Sequence, residues 1–350
     1  MHWLRSWAPV LGSLLALLVI FVLFAIADSF QQRPTFVSLY NLRVIAGNTA
    51  LIAVPAFGMT LIIIAAGIDL SAGTALTLCG TVLAVQLKQS VLSSGQPGFA
   101  AVVTTAVLLT ILTGCLCGLL NGLIISLTRV VPFIVTLGTM TIFLGIGQIL
   151  ADESTVYPAK QNIPDWITYL CYTGSNADNY WTGGLKIPTS FVITAVLAVM
   201  MSLVLRYTVF GRNVFAIGSS ESTARLCGIH VPITTLAIYA LAGFFVAVGG
   251  LLYFANVKNG NPSDGTGKEL EIIAAVVLGG GSLRGGRGSI FGTLIGAMII
   301  AVIRSGCGQL EIPSTYTHII IGVIIILAVI VDQLRHRSPA WLFDRLATMR

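Results

Sequence analysis

The chain has 350 residues, 56% of them hydrophobic and only 9% charged, with a formal net charge of +6. Soluble domains carry about a quarter charged residues, so this composition excludes a soluble two-domain protein and points to a polytopic membrane protein. With no water at membrane depth, spanning segments this apolar and unalternating are helices, so the expected fold class is all-α. Loop topology accounts for the basic balance, and no nucleic-acid partner is needed.

A helix crosses a bilayer in about 20 apolar residues. In chain order, about ten spans are expected near 9–27, 44–65, 72–87, 99–127, 133–151, 188–205, 232–255, 270–283, 289–305 and 316–331, the third and eighth being short. The first span has a rival reading as a signal peptide, because "FAIADS" resembles a small-residue cleavage site. Its apolar run exceeds the usual core of about 7–15 residues in such signals, which favours a retained helix. Placing the N-terminus inside puts Arg5, Arg129, Arg206, Arg212, Arg225, Arg284, Arg287, Arg335, Arg337, Arg345 and Arg350 on inner loops. The outer loops then hold Arg33, Arg43, Lys88, Lys160, Lys186, Lys258, Lys268 and Arg304. Cytoplasmic loops carry the excess of Lys and Arg, so both termini are expected in the cytoplasm. The expected organisation is one transmembrane domain over 1–350, with an outer loop at 152–187, an inner segment at 206–231 and a cytoplasmic tail at 332–350.

Between the second and third spans, "AAGIDLSAG" sets Asp69 among Gly67, Ser71 and Gly73. An ionisable group among spans marks a functional site by default. A turn at Gly67 with Asp69 capping the third helix is the structural reading, and both are expected to hold. Asn48, Thr49, Asn121 and Gln148 are scattered through other spans; most such groups bind helices together and a minority line a pathway. Gly-interrupted short spans are the best sequence pointer to where a solute passes.

The outer loop 152–187 is rich in Tyr, Trp, Asn and Gly. Its aromatics fit either a resting place at headgroup level or a docking surface. In 206–231, Ser219 or Ser220 can cap a short helix, Gly228 can close it, and Glu221 and Arg225 stand four apart in the stabilising order. Such a helix exceeds what a linker needs and reads as a handle for another protein; the bland alternative is an amphipathic turn on headgroups. A faint echo links "AAGIDLSAGTALTLCGTVLA" to "VLGGGSLRGGRGSIFGTLIGAMI". Both turns would face the same side, as in a parallel repeat.

Catalytic signatures are missing: there is no GxSxG or HExxH, and "GNPSDGTGKEL" lacks the spacing of a phosphate loop. The six cysteines form no metal framework, and only a Cys171–Cys307 disulfide would be geometrically open to an oxidising side.

Four motifs occur in order: "GMTLIIIAAGIDLSAG", "VPFIVTLGTMTIFLGI", "GRNVFAIGSSESTARLCGI" and "ELEIIAAVVLGGGSLRGGRGSIFGTLIGAMII". Together, over about residues 40–330, they resemble the permease subunit of bacterial ABC importers of the ribose and simple-sugar type, related to branched-chain amino-acid permeases. The resemblance implies a ten-helix inner-membrane protein that pairs with a second permease subunit, homo- or heterodimeric. It implies a cytosolic ABC ATPase and a periplasmic solute-binding protein as partners. The chain would then be no enzyme and would hold no cofactor, with ATP and Mg on the ATPase. The ATPase-coupling positions implied are Gly211, Arg212, Gly218, Glu221, Ala224, Arg225 and Gly228. The pathway or gate positions are Gly67, Asp69, Ser71, Gly73, Glu271, Gly279, Gly280 and Gly281. The chain departs from the family pattern at "GSSES", at Glu271 where Asp is usual, and at Cys227. The function expected is a permease subunit of a binding-protein-dependent importer of a monosaccharide. Amino acids or nucleosides are the alternative cargo. An ion-coupled secondary transporter is the alternative mechanism, disfavoured because Asp69, Glu271, Glu311 and Asp332 fall near span ends.

Overall fold

A computed structural model describes residues 2–31, 34–90 and 92–336. Arg33 and the expected tail from residue 337 on, with Arg337, Arg345 and Arg350, lie outside the described residues. The helices are α1 (His2–Ser29), α2 (Leu39–Ile64), α3 (Ala72–Gln89), α4 (Phe99–Thr128), α5 (Pro132–Leu150), α6 (Asp165–Leu170), α7 (Thr189–Tyr207), α8 (Val209–Ser219), α9 (Glu221–Leu226), α10 (Val231–Val257), α11 (Lys268–Leu278), α12 (Ile290–Gln309) and α13 (Ser314–His336). No strand occurs among the described residues, and the fold is all-α. Every expected span coincides with a helix. Seven helices are long and apolar enough to cross a membrane: α1, α2, α4, α5, α7, α10 and α12. By that measure α3 and α11 fall short, and of α13 the residues Ser314–Ile324 form a shorter apolar helix among the described residues.

A helix apolar all round belongs in an interior, and α2 is that helix, 89% buried inside the molecule. α10 and α12 flank it, while α1, α4, α5 and α7 turn leucines and valines outward. Without a hydrophobic drive between helices in lipid, small residues let backbones approach. Accordingly Gly114, Gly118 and Gly122 of α4 lie directly on Tyr239, Gly243 and Ala247 of α10.

Two non-helical stretches penetrate the bundle. Residues 258–267 run along α3 in the opposite direction. Gly260 bridges Val156 through two 2.9 Å backbone hydrogen bonds and abuts Thr81 and Ala84. Further along, Thr77 donates to Pro262 O at 3.0 Å, and Gly265 lies against Gly73. α11 therefore begins level with the first turn of α3, deep in the molecule, and ends at Leu278 rather than at 283 as expected. Residues 65–71 form the second stretch. Irregular backbone at membrane depth is stable only where protein or a water-filled cavity surrounds it; 258–267 lies against α3 and α5, and 65–71 is tied to α4 and α5.

The segment 206–231 differs from expectation in carrying two helices. Thr208 caps α8 by accepting from Gly211 N, and α8 buries Gly211, Val214, Ile217 and Gly218 on one face. Ser220, not Ser219, caps α9 through Thr223 N. Gly228, at φ 81, closes α9 with bonds from Gly228 N to Arg225 O (3.0 Å) and Ile229 N to Ala224 O (3.1 Å).

Candidate functional site

The expected gate residues separate into three groups. The first surrounds Asp69. The chain turns at Ala66, whose φ is 63, and not at Gly67; Gly67 N reaches back to Ile62 O at 2.8 Å. A β-carbon at 67 would stand 2.9 Å from the Tyr239 hydroxyl. Asp69 is not the helix cap either. Its Oδ1 accepts from Ser71 N (2.8 Å) and Ser71 Oγ (2.6 Å), an Asx turn two residues ahead of α3. The network continues outward from there. Asn121 of α4 donates to Ser71 Oγ at 2.8 Å, and Thr139 of α5 donates to Asn121 Oδ1 at 2.7 Å. Thr136 of α5 also donates to Ile68 O, at 3.2 Å. Asp69, 5% exposed, thus locks the irregular stretch to two outer helices. Gly73 belongs elsewhere, against Glu269 and Gly265.

The second group is a junction. Gly279, Gly280 and Gly281 begin the turn from α11 into α12, and Gly286 in that turn donates to Ile64 O, the last carbonyl of α2, at 2.8 Å. α8 seats Gly218 on the same spot, with no room for a β-carbon against Ile64 O and Gly286 N. Gly285 touches both Ala66 and Gly218. The two turns that echo each other in sequence meet here, with α8 pressed on both. Glu221 and Arg225 of α9 form an exposed ion pair at 2.5 Å, which contributes on the order of 0.5 kcal/mol; Arg212 is on α8, and Ala224 is buried beneath α9.

The third group opens toward the start of α2, with Glu271 about 12 Å back along α11 from Gly279 by helix rise. A cavity of about 650 Å³ opens between the starts of α2 and α13 and the ends of α10 and α12, with Asn41, Asn48, Tyr253, Lys268, Glu271 and Arg304 in its wall. Glu271 ion-pairs with Arg304. The Lys268 ammonium stands 4.5 Å over the Tyr253 ring, and the Tyr253 hydroxyl donates to Asp264 Oδ2 at 3.0 Å. Asn41 Oδ1 accepts from Ser305 Oγ at 2.6 Å. The cavity offers both donors and acceptors to a small polar solute. Among the described residues no group of His, Cys, Asp or Glu could hold a metal. Glu271 and Asp69, expected near the membrane surfaces, are both buried inside the molecule, so the end of a helix is not the edge of the bundle here. Arg304, Lys268 and Tyr253 escaped sequence reasoning as wall residues. Arg304 had a usable signal, an arginine within an apolar run.

Elsewhere in the scattered polar set, Thr49 bonds within its own helix to Ile45 O at 2.8 Å, and Gln148 lines a separate shallow pocket beside Asn261. In 152–187, Tyr172 stacks edge-on against Tyr169 and Tyr180, Arg43 lies over Tyr180, and Trp166 and Trp181 stay exposed. Cys171 and Cys307 are both free thiols.

A multi-pass helical membrane protein with a polar cavity toward one end and a helix pair seated on two inter-helix turns at the other is built as a transport permease. The chain belongs to the family described as the permease component of branched-chain amino acid transport systems, whose profile matches residues 41–329. It is 35% identical over 336 residues to the ribose import permease protein of Escherichia coli K12, covering 95% of this chain and 96% of that one. It is 34% identical over 336 residues to the galactose/methyl galactoside import permease protein of Salmonella typhimurium, again covering 95% and 96%. A probable ABC transporter permease protein of Escherichia coli K12 is 34% identical over 326 residues, 93% of this chain and 89% of that one. No solved structure matches the chain.

Proposed function

We propose that this chain is the membrane-spanning permease subunit of an ATP-driven, binding-protein-dependent importer of a monosaccharide or similar polyol. Identity of 34–35% over nearly the whole chain to ribose and galactose import permeases supports the cargo class. In this reading α3, α11 and α13 complete ten spans, both termini are cytoplasmic, and the protein resides in the bacterial inner membrane. A cytosolic ATPase grips α9, with Gly211, Arg212, Gly218, Glu221, Ala224, Arg225 and Gly228 shaping the grip. A solute-binding protein docks on the 152–187 face, and a second permease subunit completes the pathway.

One observation carries the mechanism: α8 touches the α2–α3 and α11–α12 turns through backbone, with Gly218 against Ile64 and Gly286. Displacement of α9 by the ATPase therefore moves both turns without intervening side-chain slack. Sugar needs only weak binding in the cavity, since selectivity resides in the binding protein and a ligand shifts an equilibrium only by its differential affinity. Replacing Glu221 and Arg225 together by alanine, at an exposed pair, leaves the spans folded and abolishes co-purification of the ATPase; unchanged co-purification refutes the coupling assignment.

The second reading, amino-acid import, is favoured by one feature. The cavity holds a carboxylate and two cations, Glu271, Arg304 and Lys268, a set that suits a zwitterion. Uptake by vesicles carrying the cognate binding protein, with ribose, galactose and leucine in turn, separates the two.

A further inference from the structure

A second cavity, of about 370 Å³, lies at the α8/α9 end between the α2–α3 turn, the α4–α5 connection and the start of α10. It is separate from the polar cavity around Glu271 and Arg304. Two long helices begin in its wall: α5, 19 residues from Pro132, and α10, 27 residues from Val231 with Pro232 in its first turn. Neither start is capped by a side chain. Each such N-terminus carries roughly half a positive charge; Pro132 and Pro232 have no N–H and Val231 N is bonded to Ile229 O at 2.9 Å, so the attraction for an anion comes from the two dipoles rather than from direct amide bonds. The charged side chains in the wall are Arg129, Arg225 and Glu221. Glu221 is already held by Arg225. Arg129 is exposed and has no ion-pair partner among the described residues.

An independent feature points to a ligand. Tyr239 lines this cavity, is 3% exposed, and its buried hydroxyl has no hydrogen-bond partner. Buried hydroxyls are rarely left without partners, because the desolvation is not recovered. A phenol donates well to an anion, and glycine at 67 is what leaves room for the hydroxyl beside the turn.

We propose that this cavity binds a phosphate-bearing anion, held by Arg129 and the Tyr239 hydroxyl in the favourable field of the α5 and α10 amino termini. Its source is either an anionic lipid headgroup or a free phosphorylated solute. Because Gly218, Glu221 and Arg225 share the wall, occupancy presses on the coupling helices, so the anion regulates transport rather than being transported. The inference does not depend on the cargo.

The test uses the full-length chain in phosphatidylcholine nanodiscs, titrated with radiolabelled orthophosphate. A parallel preparation in mixed phosphatidylcholine and phosphatidylglycerol is read by native mass spectrometry. The variants are Arg129→Gln and Tyr239→Phe. For a free anion, orthophosphate binds saturably, Arg129→Gln weakens it about tenfold or more, and Tyr239→Phe weakens it roughly three- to tenfold. For a lipid, phosphatidylglycerol is retained by the parent and lost from both variants while orthophosphate does not bind. Tyr239→Phe removes an unpartnered hydroxyl, so its melting temperature in pure phosphatidylcholine without phosphate equals or exceeds that of the parent. Equal phosphate and lipid occupancy in all three proteins overturns the proposal. So does a lowered melting temperature of Tyr239→Phe under those anion-free conditions.

Discussion

Replacing Gly218 by alanine isolates the junction between α8 and the two turns. A β-carbon there would stand 2.7 Å from Gly286 N and closer still to Ile64 O. An ordinary contact between non-bonded heavy atoms is about 3.5–4.0 Å, so α8 must retreat by roughly 2 Å from backbone that cannot swing aside. Overpacking of this kind costs about 1–3 kcal/mol. Distortion of the 2.8 Å bond from Gly286 N to Ile64 O adds about 1 kcal/mol, giving about 2–4 kcal/mol in all. The loss falls on α8 and its contacts, not on the spans. Hydrogen exchange should show faster opening at α8 and at Gly286 with α4 and α10 unchanged. ATP-dependent uptake should fall at least tenfold while the ATPase still binds. Gly138→Ala in α5, where a β-carbon meets open space, is the neutral control. Gly218→Ala with parental exchange and uptake would refute the claim that backbone contact transmits the movement.

Two further predictions concern single side chains. Glu271→Gln alone leaves Arg304 facing the cavity, and Arg304→Gln alone leaves Glu271, whose side chain is 10% exposed, without its counter-charge. Removing one partner of a fully buried pair costs about 3–5 kcal/mol; water in the cavity lowers this to about 1–3 kcal/mol, and the double Gln variant should regain most of it in denaturant unfolding. Additive losses would show that the pair is not coupled. In the 152–187 segment, burial pushes the Cys171 thiol up to about 11. The reactive thiolate appears only as pH rises toward that value, so at pH 8 about one molecule in a thousand carries it. Maleimide should therefore modify exposed Cys227 readily and Cys171 hardly at all, with the Cys171 rate climbing about tenfold per pH unit above 8. Labelling of Cys227 only from the cytoplasmic side of the vesicles confirms the proposed orientation; labelling from outside reverses it.

Much of the fold was legible because a lipid-facing helix must be apolar along its whole length. The expected 232–255 and 72–87 segments match α10 and α3 within two residues at each end. Caps that rest on local chemistry were legible too, as at Ser220 and Gly228. Asp69 was found for the right reason, an ionisable group in an apolar run, yet its partner Ser71 is tied to Asn121, 50 residues further on, and no local pattern predicts such a pairing. α8 was missed because its apolar face is small and its glycines read as breakers; Gly218 is there to meet the Ile64 carbonyl and the Gly286 amide, and Gly211 packs on Leu205. The inward course of 258–267 was hidden for the same reason: polar, glycine-rich sequence looks like a surface loop until the groove along α3 is known. Glu271 consequently lies at the floor of a cavity rather than at the membrane surface.

The central claim is that energy reaches this chain from a separate ATPase through α9. Its most direct test is solute uptake by proteoliposomes containing the chain, with and without the co-purified ATPase and binding protein, under an imposed proton or sodium gradient and an uncoupler. Uptake that requires ATP, survives the uncoupler and vanishes when the ATPase is omitted is the predicted result. Uptake by the chain alone, driven by the ion gradient, would contradict it and make the buried Asp69 and Glu271 carboxylates ion carriers instead.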